Sequence, residues 1–395
     1  MTVRSSVLTL ASFACVLSQA CSRGDFPDTS DPLAPGSGSP GETFTPDAAD
    51  PSGDGPSCAT ATMPVTRAAI YMQIILDGSG SMMDPVAPAG PTGLKWKAAS
   101  DALESFFDDA RAKKDAAFAV GLFLFDGTKG VLDFEVPDVP IRHVDNAHHA
   151  ALRSRIKLST PQGGTPIKRA LEGQIPILQG FVPLAPLKPN GKRVLVVITD
   201  GVPDGPADVQ PTVQAQCAKL VEDAFAATPS ITTFAVGVGD PASDASTYNE
   251  MFVGRLATVG GAAAPGCSPG WNESSPPGST PCHFQVTPGA KTAAQLRDEL
   301  LAAINAIRGA ATSCELALER ADGTTGVVDP SRVNVVFTDG EGKQTKVPQN
   351  ASDGWTYDDP SDPRAVVFHG PACDRLKAES DGKVEIELGC KTLVK

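Results

Sequence analysis

Ala69-Ile70-Tyr71-Met72-Gln73-Ile74-Ile75-Leu76 is an apolar run of strand length that stops abruptly at Asp77-Gly78-Ser79-Gly80-Ser81-Met82. A run with no polar alternation reads as a strand buried on both faces, as in a parallel sheet. The two glycines turn the chain tightly at its end. Asp77, Ser79 and Ser81 are spaced by two, so in a locally extended loop their side chains can project to one side. One carboxylate and two hydroxyls therefore gather at the carboxyl end of a buried strand, where open α/β sheets place their ligands. An all-oxygen set without sulfur or imidazole suits a hard divalent cation such as Mg²⁺.

The pattern of the first strand recurs. Phe118 to Phe125, Arg193 to Ile198 and Ile231 to Val238 are apolar runs of the same kind. Helical periodicity predicts helices over 94–113, 146–156, 167–178, 209–227, 251–259 and 293–308. The first buries Leu94, Ala98, Ala102, Phe106 and Ala110 and leaves Trp96 and Lys97 at the surface and rim. The last is amphipathic through Leu296, Leu300, Leu301, Ile304 and Ile307. Residues 131–136 alternate as an edge strand would, and 283–286 form a second short edge. Strands alternating with helices predict an α/β fold, a doubly wound and mostly parallel sheet, over residues 66–310. From Cys314 onward short β runs are punctuated by Asp-Gly pairs, which predicts a small β-rich domain over 311–395. Phe337-Thr338-Asp339-Gly340 in it reads as a turn.

Two later stretches bear on the first loop. Gln162-Gly163-Gly164-Thr165-Pro166 precedes a helix, and Thr165 taken alone is a helix cap. Val194-Leu195-Val196-Val197-Ile198-Thr199-Asp200-Gly201 is a buried strand ending in an aspartate. With Asp-x-Ser-x-Ser before them, in this order, these pieces resemble the metal-ion-dependent adhesion site of von Willebrand factor A domains, over about Thr66 to Ala310. The resemblance implies a Rossmann-like domain that holds Mg²⁺, with Mn²⁺ or Ca²⁺ as substitutes. Asp77, Ser79 and Ser81 would supply the first loop of ligands, Thr165 the second, and Asp200 the third, directly or through water. It also implies an open coordination position that a Glu or Asp of a protein partner completes, hence a binding or adhesion module and not an enzyme. Two other readings stand beside it: a structural envelope protein whose metal only stabilises the loops, and a hydrolase using the metal to activate water.

Rival chemistries find little support. Neither Ser79 nor Ser81 sits in Gly-x-Ser-x-Gly, and the five histidines show no metalloprotease spacing. No catalytic residue and no organic cofactor is predicted. His148-His149 reads as a solvent-facing pair and Asp204 as a turn residue. Asp84 matches the first aspartate of the adjacent cation site in integrin β-subunit domains, but Pro85 replaces the second, which argues against an extra Ca²⁺ site.

A formal charge of −13, with no Lys/Arg block, argues against nucleic acid and anionic membrane surfaces as partners. Arg4 followed by the apolar run from Val7 to Leu17, too short to span a bilayer, reads as an export signal over residues 1–21. Ala20-Cys21 fits either cleavage before a lipid-carrying Cys21 or plain signal cleavage near Ala20. Membrane attachment is thus expected only through Cys21, and the protein is expected in the cell envelope, outer membrane or surface, or else secreted. Residues 22–65, rich in Pro, Gly, Ser, Asp and Thr, read as a disordered linker. Nine cysteines in an exported chain suggest disulfides. Cys267 and Cys282, bracketing a Pro/Gly/Ser-rich loop, form the expected pair, while Cys58, Cys217, Cys314, Cys373 and Cys390 are left open. With no C-x-x-C, a zinc site is not expected.

Overall fold

The computed structural model describes residues 61–85, 92–189, 191–206, 208–240, 248–263, 266–267, 280–289, 291–318, 331–378, 383–388 and 391–394. The export signal, Cys21, most of the predicted linker, Cys58 and Cys390 lie outside the described residues.

Strand β1 (Ala61–Arg67) belongs to a second sheet taken up below. The α/β sheet consists of β2 (Ile70–Asp77), β3 (Phe118–Phe125), β4 (Val139–His143), β5 (Lys192–Thr199), β6 (Ile231–Val238) and β7 (Phe284–Val286). Their order is β4-β3-β2-β5-β6-β7. All neighbours are parallel except β4, which runs antiparallel to β3. Successive side chains of β2 serve opposite faces, as strand geometry requires. Ile70, Met72, Ile74 and Leu76 join one core with Phe106 and Phe107 of α1 (Leu94–Lys113), Leu152 of α2 (Asn146–Lys157) and Leu300 of α6 (Ala293–Ala311). Tyr71 and Ile75 join the other with Leu171 of α3 (Ile167–Gln179), Val221 of α4 (Gln210–Ala226) and Phe252 of α5 (Glu250–Val259). This is the doubly wound α/β sheet expected from the sequence.

Four sequence-based expectations need correction. The edge strand is β4, not 131–136: Val131–Glu135 forms a short 3₁₀ turn in which Phe134 alone is buried. Gly173 packs so closely on the Phe134 carbonyl that a side chain there would collide with it, and Gln174 Nε2 donates to the same carbonyl at 2.7 Å. The His148-His149 pair is buried. His148 Nε2 bonds Val120 O at 2.7 Å and His149 Nε2 meets Asp108 Oδ1 at 2.6 Å. Asp204 does more than turn the chain, as described below. Finally, the predicted linker 22–65 runs into structure, because β1 begins at Ala61.

The second sheet adds β8 (Glu315–Leu318), β9 (Val333–Thr338), β10 (Gln344–Val347), β11 (Gly354–Tyr357), β12 (Ala365–His369) and β13 (Lys383–Leu388), with α7 (Gly370–Ala378) packed on it. Its order is β10-β9-β13-β1-β8-β12-β11, antiparallel throughout. Ala61 to Pro64 pair with β13, and Val65 to Arg67 pair with β8, so β1 links two three-stranded halves. The α/β body is thereby inserted between two neighbouring strands of the antiparallel sheet. Cys267 is bonded to Cys282 as expected, Cys314 pairs with Cys373, and Cys217 is a buried free thiol that burial pushes up to about 12. Asp339 Oδ1 accepts from the N–H groups of Glu341 and Lys343, so the Thr338-Asp339-Gly340 stretch is a turn.

Candidate metal centre

The strands β2 and β5 are adjacent, and the chain winds away from them in opposite directions. The crevice beyond their carboxyl ends is the topological switch point of the sheet, the ordinary place for a ligand. Asp77 is the last residue of β2, and Asp200 directly follows β5. Both are fully buried.

The five residues singled out in the sequence meet here. The Ser79 N–H donates to Asp77 Oδ1 at 2.8 Å, and Thr199 Oγ1 donates to Asp77 Oδ2 at 2.6 Å. Ser79 Oγ and Ser81 Oγ lie 2.9 Å apart, and Ser81 Oγ donates to Asp200 Oδ1 at 2.8 Å. Thr165 comes in from the second loop: a methyl group built on Gly201 would sit 3.2 Å from Thr165 Oγ1 and 3.4 Å from Asp77 Oδ2. The capping role does not claim Thr165, because α3 begins at a Pro166 N-cap and has no side-chain cap. Its backbone is fixed instead by Asp204, whose Oδ1 accepts the Thr165 N–H at 2.6 Å. The first two loops also touch through backbone: Gly80 N–H donates to Gly163 O at 2.9 Å, and Gln162 N–H to Gly78 O at 2.8 Å. Beside Thr165, Gly127, Pro166, Arg169 and Asp204 line a cleft of about 380 Å³.

Electrostatics show what the site lacks and what it already has. Burial, and after it the neighbouring Asp200 charge, pushes Asp77 up to about 7 against the opposing hydrogen bonds of Ser79 and Thr199. Burial likewise pushes Asp200 upward, with Lys95 and Ser81 working against it. Two buried carboxylates this close leave a deficit of positive charge that a cation would fill. Part of that charge comes from a residue the sequence reading passed over. Lys95 Nζ lies 2.5 Å from Asp200 Oδ2, with the lysine side chain 2% exposed. Lys95 stands three, four and seven residues before Ala98, Ala99 and Ala102, on the buried stripe of α1. That periodicity was the available signal. Trp96 and Lys97 are partly buried and exposed, as expected for a rim.

Residues 72–258 match the von Willebrand factor type A domain family. The chain contains a von Willebrand factor type A domain. The match runs from Met72 within β2 through nearly all of α5 and includes the five candidate residues. No curated protein sequence matches the chain. Among solved structures, the pilus adhesin SpaC from Lactobacillus rhamnosus GG is 13% identical, with a TM-score of 0.44, covering 82% of this chain and 39% of that one. The von Willebrand factor domain of the type V pili tip protein Mfa5 from Porphyromonas gingivalis is 13% identical, with a TM-score of 0.37, covering 61% of this chain and 96% of that one. Manganese-loaded TRAP protein from Plasmodium vivax is 12% identical, with a TM-score of 0.35, covering 61% of this chain and 75% of that one.

The donor set of this von Willebrand factor type A domain fits a hard divalent cation: two carboxylates and three hydroxyls, with no imidazole or thiolate. Among the described residues, no group of three or more His, Cys, Asp or Glu side chains is placed to hold a metal ion.

Proposed function

We propose that this protein is a binding module of the cell envelope or surface, which recognises a protein partner through a divalent cation held by its von Willebrand factor type A domain. The carrying observation is the convergence of Asp77, Ser79, Ser81 and Asp200 in one hydrogen-bonded cluster, with Thr165 against it, at the switch point of the sheet. Asp77 and Asp200 would hold Mg²⁺, or Mn²⁺ or Ca²⁺ in its place, with Ser79, Ser81 and Thr165 as hydroxyl ligands. The bound ion would supply a Lewis-acidic position for an acidic side chain of the partner. The chain's own part is to keep the ligands preformed: Asp204 fixes the Thr165 backbone, Thr199 orients Asp77, and Ser81 orients Asp200. The disulfides Cys267–Cys282 and Cys314–Cys373 fit an oxidising compartment, in keeping with export.

Calorimetric titration of the full chain with Mn²⁺ or Mg²⁺ tests the reading. One saturable site is expected in the wild type and none in Asp77→Ala. Capture of an envelope protein that is lost on adding EDTA and regained with excess Mg²⁺ is the expected functional result. No saturable binding in the folded wild type would end the proposal.

A further inference from the structure

Lys95 is an unexpected tenant of a cation site. It is the second residue of α1, where the helix dipole disfavours a positive side chain, and α1 starts without a side-chain cap at Gly93, in the left-handed region. Its whole side chain is buried, not only its tip, so the ammonium cannot swing into water without repacking the start of the helix. Asp200 is its partner at 2.5 Å, and Asp200 itself is fully buried. A cation settling between Asp77 and Asp200 therefore joins a positive charge that has nowhere else to go.

The charge count follows. With both carboxylates ionised, Asp77 and Asp200 carry two negative charges and Lys95 one positive. A divalent ion brings this buried set to a net charge of +1. Without Lys95 the loaded set would be neutral, and an incoming carboxylate would leave it negative. With Lys95 the incoming carboxylate makes it neutral. Asp84 stands near Asp200 but is exposed, where water and salt screen it. The buried charges interact at lower effective dielectric and dominate.

We propose that Lys95 is a resident counter-ion of the metal centre, one that lowers its affinity for the divalent ion and keeps the loaded site positive, so that it selects an anionic ligand group. This rests on the metal reading above. It assigns Lys95 a positioning and charge-setting role, distinct from the ligands.

The test uses the full chain, Mn²⁺ as the metal and acetate as the anion, read by water-proton relaxation. In Lys95→Met the Mn²⁺ dissociation constant should fall at least about tenfold, as expected for removing a buried like charge. Lys95→Arg should stay near the wild type. Acetate added to the Mn²⁺-loaded protein displaces water from the ion, and its half-point should rise at least about threefold in Lys95→Met. Should Lys95→Met not fold without metal, Lys95→Gln, which still donates to Asp200, carries the same expectations. A variant that folds only with Mn²⁺ present supports the same role. Failure of both variants to fold in saturating Mn²⁺ would make Lys95 a structural residue and overturn the proposal. Equal Mn²⁺ affinity in wild type and folded variants would overturn it too, while leaving the metal reading intact. Absence of Mn²⁺ binding in wild type and variants alike would remove the metal reading and this inference with it.

Discussion

Asp204 and Thr165 hold each other through two hydrogen bonds: Asp204 Oδ1 accepts the Thr165 N–H at 2.6 Å, and the Asp204 N–H donates to Thr165 O at 3.0 Å. The third loop thus fixes the second. Thr165 has no cap bond of its own to make, so its hydroxyl position depends on this clamp. Losing the side-chain half leaves one backbone N–H unsatisfied, at a cost of about 1–3 kcal/mol. Asp204→Ala should weaken Mn²⁺ binding by roughly fivefold or more, and Asp204→Asn, which retains Oδ1, should recover most of it. Titration of the two variants side by side checks this, and equal affinities in Asp204→Ala and wild type would detach Asp204 from the site.

Gly127 sits where two loops meet backbone to backbone. A Cβ at this position would collide with the backbone N of Gly164 and press on Gly163, which itself has φ +71°. Neither neighbour has a side chain that could move aside, so the loops must part. Gly127→Ala should cost about 1–3 kcal/mol by overpacking and weaken metal binding through displacement of Thr165. Urea denaturation and Mn²⁺ titration of the same sample separate the two effects. Wild-type stability in Gly127→Ala would show that the loops can yield freely.

How much of this was legible in the sequence depended on how local the cause was. The strands β2, β3, β5 and β6 announce themselves because burial on both faces demands unbroken apolar runs. The strand β4 alternates buried and exposed residues, but it is short and carries Pro140, which disguises it as a loop, whereas 131–136 reads as the edge. There Val131 and Leu132 are 67% and 73% exposed, and the alternation reports no buried face. The candidate loops were readable because Asp77 ends β2, Asp200 directly follows β5, and Thr165 stands just before the Pro166 N-cap of α3. Lys95 was not, although it lies on the apolar stripe of α1, because a lysine reads as surface unless its distant partner Asp200 is known. His148 and His149 were missed for the same reason: Val120 and Asp108, which hold them, are on other elements. The strand β1 was hidden by composition, since its partners lie at the far end of the chain.

That distant pairing makes a prediction about the chain's architecture. The halves β10-β9-β13 and β8-β12-β11 are joined through β1, and the chain just after β10 also bonds β11, with Trp355 N–H donating to Pro348 O at 3.0 Å and Asn350 N–H to Trp355 O at 2.9 Å. A chain starting at residue 61 should keep amide protection in β8 and β13, the two strands that β1 bonds, while one starting at residue 69 should lose it there and retain it in β2, β3, β5 and β6. Hydrogen exchange by mass spectrometry distinguishes the outcomes. Full protection of β8 and β13 in the shorter chain would show that the two halves hold together without β1, through the backbone bonds of Trp355 and the core it shares with Val335 and Ile386.

His283 makes the stability of the fold depend on pH. Its ring is buried beside β7, with Nε2 2.7 Å from the Tyr248 hydroxyl and 2.7 Å from Gln285 Oε1. Burial pulls its pKa down to about 4, against a slight opposing pull from Gln285. An unfolded histidine titrates near 6.5. Between these values the unfolded chain binds a proton that the folded chain refuses, so stability rises with pH across the window and is lost as pH falls through it. The loss attributable to His283 between pH 6.5 and 4 is on the order of 3 kcal/mol. His148, also lowered mainly by burial, contributes in the same direction. In His283→Asn the urea-unfolding free energy should depend less steeply on pH over this range, whatever its absolute value. An unchanged slope would mean that the ring gains its proton while the fold stays intact, through an opening that burial beside Tyr248 does not suggest.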